Sequence, residues 1–194
     1  MLHDVNILLG VTGGVAAYKA VDLASKLTAT GARVRTVMTE AACRLVGPTS
    51  FEAVTGSAVF TAMWGAPDEF KISHVTLADW ADLIVVAPAT ANIIGKTANG
   101  ICDDLLSTIL CACWPLTQSG MTLVAPAMNT NMWANPAVQN NVTTMKARGF
   151  QFIGPVEGRL ACGAEGPGRM SEPKDILEAI ETMASKSKEP RDVS

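Results

Sequence analysis

The sequence predicts one α/β domain built on a doubly wound parallel sheet. Three observations carry that prediction. Four apolar runs, at 5–11, 33–38, 82–88 and 122–126, are nearly uninterrupted, as strands buried on both faces are. Stretches with helical spacing or helix-end signals separate them, and such alternation defines a parallel sheet with helices on both sides. The segments richest in Gly, Thr and Asn come directly after the runs. In sheets of this kind the carboxyl ends of the strands form the ligand-binding rim.

The first strand is "VNILLGV" (5–11), and "GVTGGVAAYK" (10–19) turns out of it into a helix. Ala16, Ala20, Leu23, Ala24 and Leu27 make one helical stripe, and Gly31 ends it. "RVRTVM" (33–38) is the second strand, followed by "TEAACR"; "DLIVVAP" (82–88) is the third, followed by "PATANIIGK". "NGICDD" marks a turn and a capped helix start, and residues 103–113 read as a mostly buried helix. "TLVAP" (122–126) leads into "PAMNTNMW", and a helix over Asn135–Arg148 is closed by Gly149. A short strand, "FQFI" (150–153), precedes a Gly/Pro-rich loop at 154–172, and Glu172–Ser185 is the last helix. The domain is expected to span residues 1–185, with 186–194 a polar, disordered tail.

Composition bounds the function. The 194 residues are 48% hydrophobic and 17% charged, which describes a chain with a real core and excludes a disordered one. A net charge of −3 offers no electrostatic basis for nucleic acid or an anionic membrane as partner. No apolar run reaches the length of a membrane-spanning helix. The N-terminus has no basic region or cleavage site, so the first run is a strand, and the expected setting is the cytoplasm. Five cysteines with no CxxC spacing argue against a disulfide framework and a zinc site, and no metal is expected. Cys43, Cys102, Cys111 and Cys113 lie in apolar runs and read as buried thiols, whereas Cys162 lies in the glycine-rich "GRLACGAEGPGRM" (158–170).

The loops suggest a ligand. At Gly13 and Gly14, backbone N–H groups can turn toward an anion at a helix start. The pattern is not GxGxxG, and no acidic residue closes the second strand, so a nicotinamide dinucleotide is disfavoured. A mononucleotide phosphate, as in flavin mononucleotide, fits better, with Thr39 and Thr90 as hydroxyl donors. Taken alone, Thr90 or Asn92 reads as a helix cap ahead of a ligand residue.

Together, "TGGVAAYK", "PATAN", "PAMNTNMW" and "LACGAEGPGRM" resemble the homo-oligomeric flavin-containing cysteine decarboxylases over residues 4–180. The resemblance is greatest to the branch that acts on 4′-phosphopantothenoylcysteine in coenzyme A biosynthesis. It implies a flavodoxin-like fold, bound flavin mononucleotide (FMN), and active sites at subunit interfaces of a homotrimer or dodecamer. The implied FMN contacts are Gly13, Gly14, Val15, Thr39, Thr90, Ala91, Asn92 and Ala127. Position 93 is Ile, where the family motif ends in a hydroxyl residue, so no hydrogen bond is expected from it.

The resemblance also implies the reaction. The substrate's thiol is oxidised to a thioaldehyde, carbon dioxide leaves as the C=S group accepts the electron pair, and the resulting enethiol is reduced again. Asn129 is implied to hold the substrate carboxylate, which suits an amide donor without a full charge. Met128, Met132 and Trp133 would then form an apolar wall, with Met132 against the substrate. His74 is implied as the active-site base and Cys162, on a substrate-covering flap, as proton donor in the final reduction. Arg169 is a candidate for the substrate phosphate. Two alternatives stay open: a peptidyl-cysteine decarboxylase of lantibiotic synthesis, and a flavin-bound regulatory subunit of a protein phosphatase.

Overall fold

The computed structural model describes residues 2–64, 74–159, 163 and 165–187. In chain order, the first half contains β1 (Asn6–Val11), α1 (Ala17–Ala29), β2 (Arg33–Met38), α2 (Glu40–Cys43), α3 (Pro48–Thr55), β3 (Val59–Phe60), α4 (His74–Trp80) and β4 (Leu83–Ala89). The second half contains α5 (Ala91–Asn99), α6 (Leu105–Ala112), α7 (Trp114–Gln118), β5 (Thr122–Pro126), α8 (Thr130–Ala134), α9 (Pro136–Ala147), β6 (Gln151–Phe152), β7 (Val156–Arg159), β8 (Glu165–Arg169) and α10 (Pro173–Ser187). Strands β1 to β6 form one sheet of order β3-β2-β1-β4-β5-β6, every adjacent pair parallel. Without the two-residue edge strand β3 this is the flavodoxin order, and its direction reverses between β1 and β4.

The period of two along each strand feeds two cores. Ile7, Leu9 and Val11 of β1 face a core shared with Leu23 and Leu27 of α1, Phe51 of α3, and Ile176 and Ile180 of α10. Leu8 faces the opposite core, shared with Leu77 of α4, Ile93 and Ile94 of α5, Leu106 and Ile109 of α6, and Met145 of α9. Helices therefore cover both faces, and the polar rim at the carboxyl ends of the strands is the ligand-binding edge expected of such a sheet. Asp104 caps α6 as "NGICDD" suggested: its carboxylate accepts the Ser107 N–H at 2.8 Å, and Ser107 reaches back to the Asp104 N–H.

The structure corrects two expectations. The 154–172 segment is not only loop: β7 and β8 pair as an antiparallel hairpin that stands apart from the main sheet. Its strand residues include glycines at 158, 166 and 168, with φ between 141° and 151°, and their missing side chains erase the apolar alternation that normally marks strands. The cysteines in apolar runs are not all buried. Cys113 is, Cys43 is half-buried, and Cys102 and Cys111 are exposed, because Cys111 falls on the outward face of α6 and Cys102 in the turn before it. Cys162 and the tail from 188 lie outside the described residues. Among the described residues no helix is long and apolar enough to cross a membrane.

Candidate functional site

The rim of the sheet is held together at the point where strand order reverses. Thr12, 2% exposed, donates its hydroxyl to the Pro88 carbonyl at 2.7 Å and accepts the Thr90 N–H at 3.1 Å. One buried side chain thus ties the loop after β1 to the loop after β4. Its role was not read from the sequence, since a threonine at a strand end is an ordinary turn residue. Nearby, Gly14 sits against Pro88 and Thr90, and a Cβ on Gly13 would lie 2.4 Å from that of Ala41. Gly13 is therefore needed for close packing of two loops.

Several donors at this crevice are uncommitted. Among the described residues, the N–H groups of Gly13 and Val15 make no backbone hydrogen bond. Thr90 is the N-cap of α5, but its side chain makes no capping bond. Thr39 caps α2 by accepting from Ala42 N–H at 3.3 Å, which leaves its hydroxyl proton to donate. Ala91 and Asn92 open α5, with Asn92 exposed. Position 93 is turned into the core, where Ile93 is 3% exposed, so an apolar residue there is expected. Neutral donors at a helix start and a strand switch point are the set a phosphate or a heterocycle needs.

Beside the crevice lies a cavity of about 520 Å³. Val15, Ala16, Tyr18 and Lys19 form one wall, Ala127, Met128 and Asn129 another, and Arg159, Gly168, Arg169 and Met170 of the hairpin the third. Asn129 is the N-cap of α8: its Oδ1 accepts the Asn131 N–H at 2.8 Å. The planar amide is thereby oriented, with its acceptor end on the helix start and its donor end, Nδ2, turned the other way. The next turn repeats the device, since Asn135 Oδ1 accepts the Ala137 N–H at 2.9 Å to start α9.

Three cations border the cavity. Lys19 lies 2.8 and 3.0 Å from the two carboxylate oxygens of Glu172, and Arg169 pairs with the same carboxylate. The hydrogen bond from Lys19, helped by Arg169 and opposed by slight burial, holds Glu172 below the usual carboxylate range. This clasp joins the hairpin to α1. Arg159, exposed on the same hairpin, adds a positive charge; Glu165 stands opposite it across the strands.

The structure brings together Val15, Ala127, Asn129 and Arg169 in one cavity, with Gly13, Gly14, Thr39 and Thr90 at the adjoining crevice. Met128 lines the cavity, while Trp133 packs on the core beneath it. Met132 is 48% exposed and does not line the cavity. His74 opens α4, which covers the face of the sheet opposite α1, and it does not line the cavity either. Lys19, Tyr18 and Arg159 are lining residues that sequence reasoning did not single out, although "AAYK" contained two of them.

Comparison with known proteins places the chain. The Flavoprotein family model matches residues 1–185. The coenzyme A biosynthesis bifunctional protein CoaBC of Bacillus subtilis (strain 168) is 49% identical over 181 residues, covering 93% of this chain but 43% of the relative. The chain thus spans less than half the length of that relative. A cysteine-to-serine mutant of PPC decarboxylase complexed with pantothenoylaminoethenethiol superposes with a TM-score of 0.80 at 32% identity, over 94% of this chain and all of that one. The FMN-dependent cysteine decarboxylase SpaF gives a TM-score of 0.75 at 35% identity, over 95% of this chain and 99% of that one. The fold and rim are those of a flavin-binding α/β domain. The chain belongs to the Flavoprotein family, among relatives that include the flavin cysteine decarboxylases.

Proposed function

We propose that this chain decarboxylates 4′-phosphopantothenoylcysteine to 4′-phosphopantetheine in coenzyme A biosynthesis, with FMN as cofactor. The observation that carries the reading is one cavity that sets the neutral amide of Asn129 among the cations Lys19, Arg159 and Arg169. A substrate with a carboxylate at one end and a phosphate at the other matches that pairing.

The crevice residues fit FMN: the N–H groups of Gly13 and Val15 and the hydroxyls of Thr39 and Thr90 would hold it, with Asn92 beside them. When bound, FMN supplies a two-electron acceptor for the substrate thiol and returns the pair at the end of the cycle. Asn129 holds the carboxylate by hydrogen bonding. An ammonium or guanidinium there would stabilise the carboxylate's full charge and oppose its loss as carbon dioxide. Ala127 and Met128 exclude water from the reacting end. His74 takes the proton from the substrate, and Cys162 delivers one to the enethiol carbon.

His74 lies on α4, away from the cavity wall, so it acts from a neighbouring copy in a homotrimer or dodecamer. The exposure of Val15 and Tyr18 at the cavity, 64% and 62%, supports coverage by a second subunit. The setting is the cytoplasm. A peptidyl-cysteine substrate is the alternative reading. It brings no phosphate to the cationic side of the cavity, and so ranks behind.

The test is to load the purified chain with FMN and supply phosphopantothenoylcysteine. Carbon dioxide and 4′-phosphopantetheine in equal amounts are expected. No carbon dioxide overturns the reading, and release of an oxidised enethiol alone shifts it to the peptidyl-type chemistry.

A further inference from the structure

The hairpin and the Asn129 segment share a backbone seam. Gly168 O accepts the Met128 N–H at 2.9 Å. A Cβ on Gly168 would lie 2.3 Å from Met128 O, a main-chain atom that cannot swing aside, and the φ of 151° is one L side chains rarely adopt. Two residues earlier, Gly166 repeats the arrangement: a Cβ there would lie 3.0 Å from Thr130 Cγ2 and 3.2 Å from its Oγ1. Residues two apart share one face of a strand. So β8 lays a bare backbone strip along residues 128–130, with Gly168 buried at the centre.

The stretch it contacts is also held at both ends. Ala127 N–H bonds to Ala89 O at 3.0 Å, and Trp133 N–H to Asn129 O at 2.9 Å. Between those two anchors, the Met128 N–H bond to Gly168 O holds the peptide that leads into Asn129, whose side chain caps α8. On the other side of β8, Arg169 pairs with Glu172 and thereby reaches Lys19 of α1, so the strip is clamped from outside.

We propose that β8, through Gly168, is a positioning element for Asn129: the amide faces the substrate carboxylate only while this strip is seated. The inference rests on the function proposed above. Gly168 lines the same cavity, and the role assigned to it runs through Met128 N–H to the neighbouring Asn129.

The test uses FMN-loaded protein and 4′-phosphopantothenoylserine, in which a hydroxyl replaces the thiol and oxidation cannot begin. Binding is measured for wild type, Gly168→Ala, Asn129→Ala and the double variant. Each single change should weaken binding about tenfold or more, and the double variant should be no weaker than the worse single within about twofold, because both remove one interaction. Hydrogen exchange is measured in parallel without ligand. In Gly168→Ala the Met128 amide should exchange at least about a hundredfold faster, while Val124 in the middle of β5 is unchanged. If Gly168→Ala does not fold, Gly166→Ala serves, since its clash is with the end of a threonine side chain. Additive effects in the cycle, or unchanged Met128 exchange in a folded variant, overturn the role of Gly168. Failure of wild type to bind the analogue overturns instead the proposed substrate, and with it the role given to Asn129.

Discussion

Replacing Asn129 by aspartate exchanges one amide nitrogen for a carboxylate oxygen and changes little else. The cap survives, because the aspartate oxygen can accept the Asn131 N–H as Oδ1 does at 2.8 Å, and aspartate caps helices as well as asparagine. A negative charge at a helix start is favourable by about 0.3–1 kcal/mol, and α8 is short, so the low end applies. Melting temperature and FMN content should therefore stay at wild-type values. The chemistry should not survive. Two carboxylates about 4 Å apart, at an effective dielectric of about 20, repel by about 4 kcal/mol. That is about a thousandfold in affinity for the substrate, and so in turnover at low substrate concentration. The assay is carbon dioxide release from phosphopantothenoylcysteine, with flavin absorbance and thermal melting on the same samples. Turnover within about tenfold of wild type, in a folded and flavin-loaded variant, would refute contact between Asn129 and the substrate carboxylate.

Thr12→Val keeps the shape but removes the hydroxyl that bonds both Pro88 O and Thr90 N–H in the buried rim; it should cost about 1–3 kcal/mol in urea denaturation and weaken FMN binding in a fluorescence titration. Glu172→Gln tests the clasp by its pH dependence. The folded carboxyl titrates below its ordinary range, so the stability it adds is present above the unfolded pKa and is lost as pH falls through the lower folded value. Thermal melts from about pH 6 down to about pH 3 should show that loss in wild type and a flatter profile in the variant. Lys19→Met leaves Glu172 with Arg169 alone, and should destabilise by about 1 kcal/mol in chemical denaturation, between the values for exposed and buried pairs. Cys162→Ser should leave carbon dioxide release intact and stop the final reduction, so that mass spectrometry of one turnover finds the oxidised enethiol; normal yield of 4′-phosphopantetheine would make Cys162 dispensable.

Local pattern alone determined the four long strands, α1 with its buried Ala20, Leu23, Ala24 and Leu27, and the capped start of α6. These features depend on neighbours within a turn or two, so hydrophobic period and capping chemistry suffice. The motif at 126–133 likewise marked Asn129 before any coordinates, because an amide, two methionines and an indole are costly furniture for a plain turn. Other features were decided by contacts far apart in sequence. Thr12 became a staple only when Pro88, 76 residues away, was laid beside it. Lys19 and Arg169 became a clasp only when Glu172 met α1 across 153 residues. The hairpin was hidden because its strand residues include glycines, whose absent side chains carry no periodic signal. Those same absences let β8 approach the backbone at Met128, so the residues least informative in the sequence set the closest approach in the site. His74 shows the remaining limit: its helix packs on the far face of the sheet, because Leu77 and Ala78 are drawn into the other core, and that burial, not any local signal, decided which cavity it does not line.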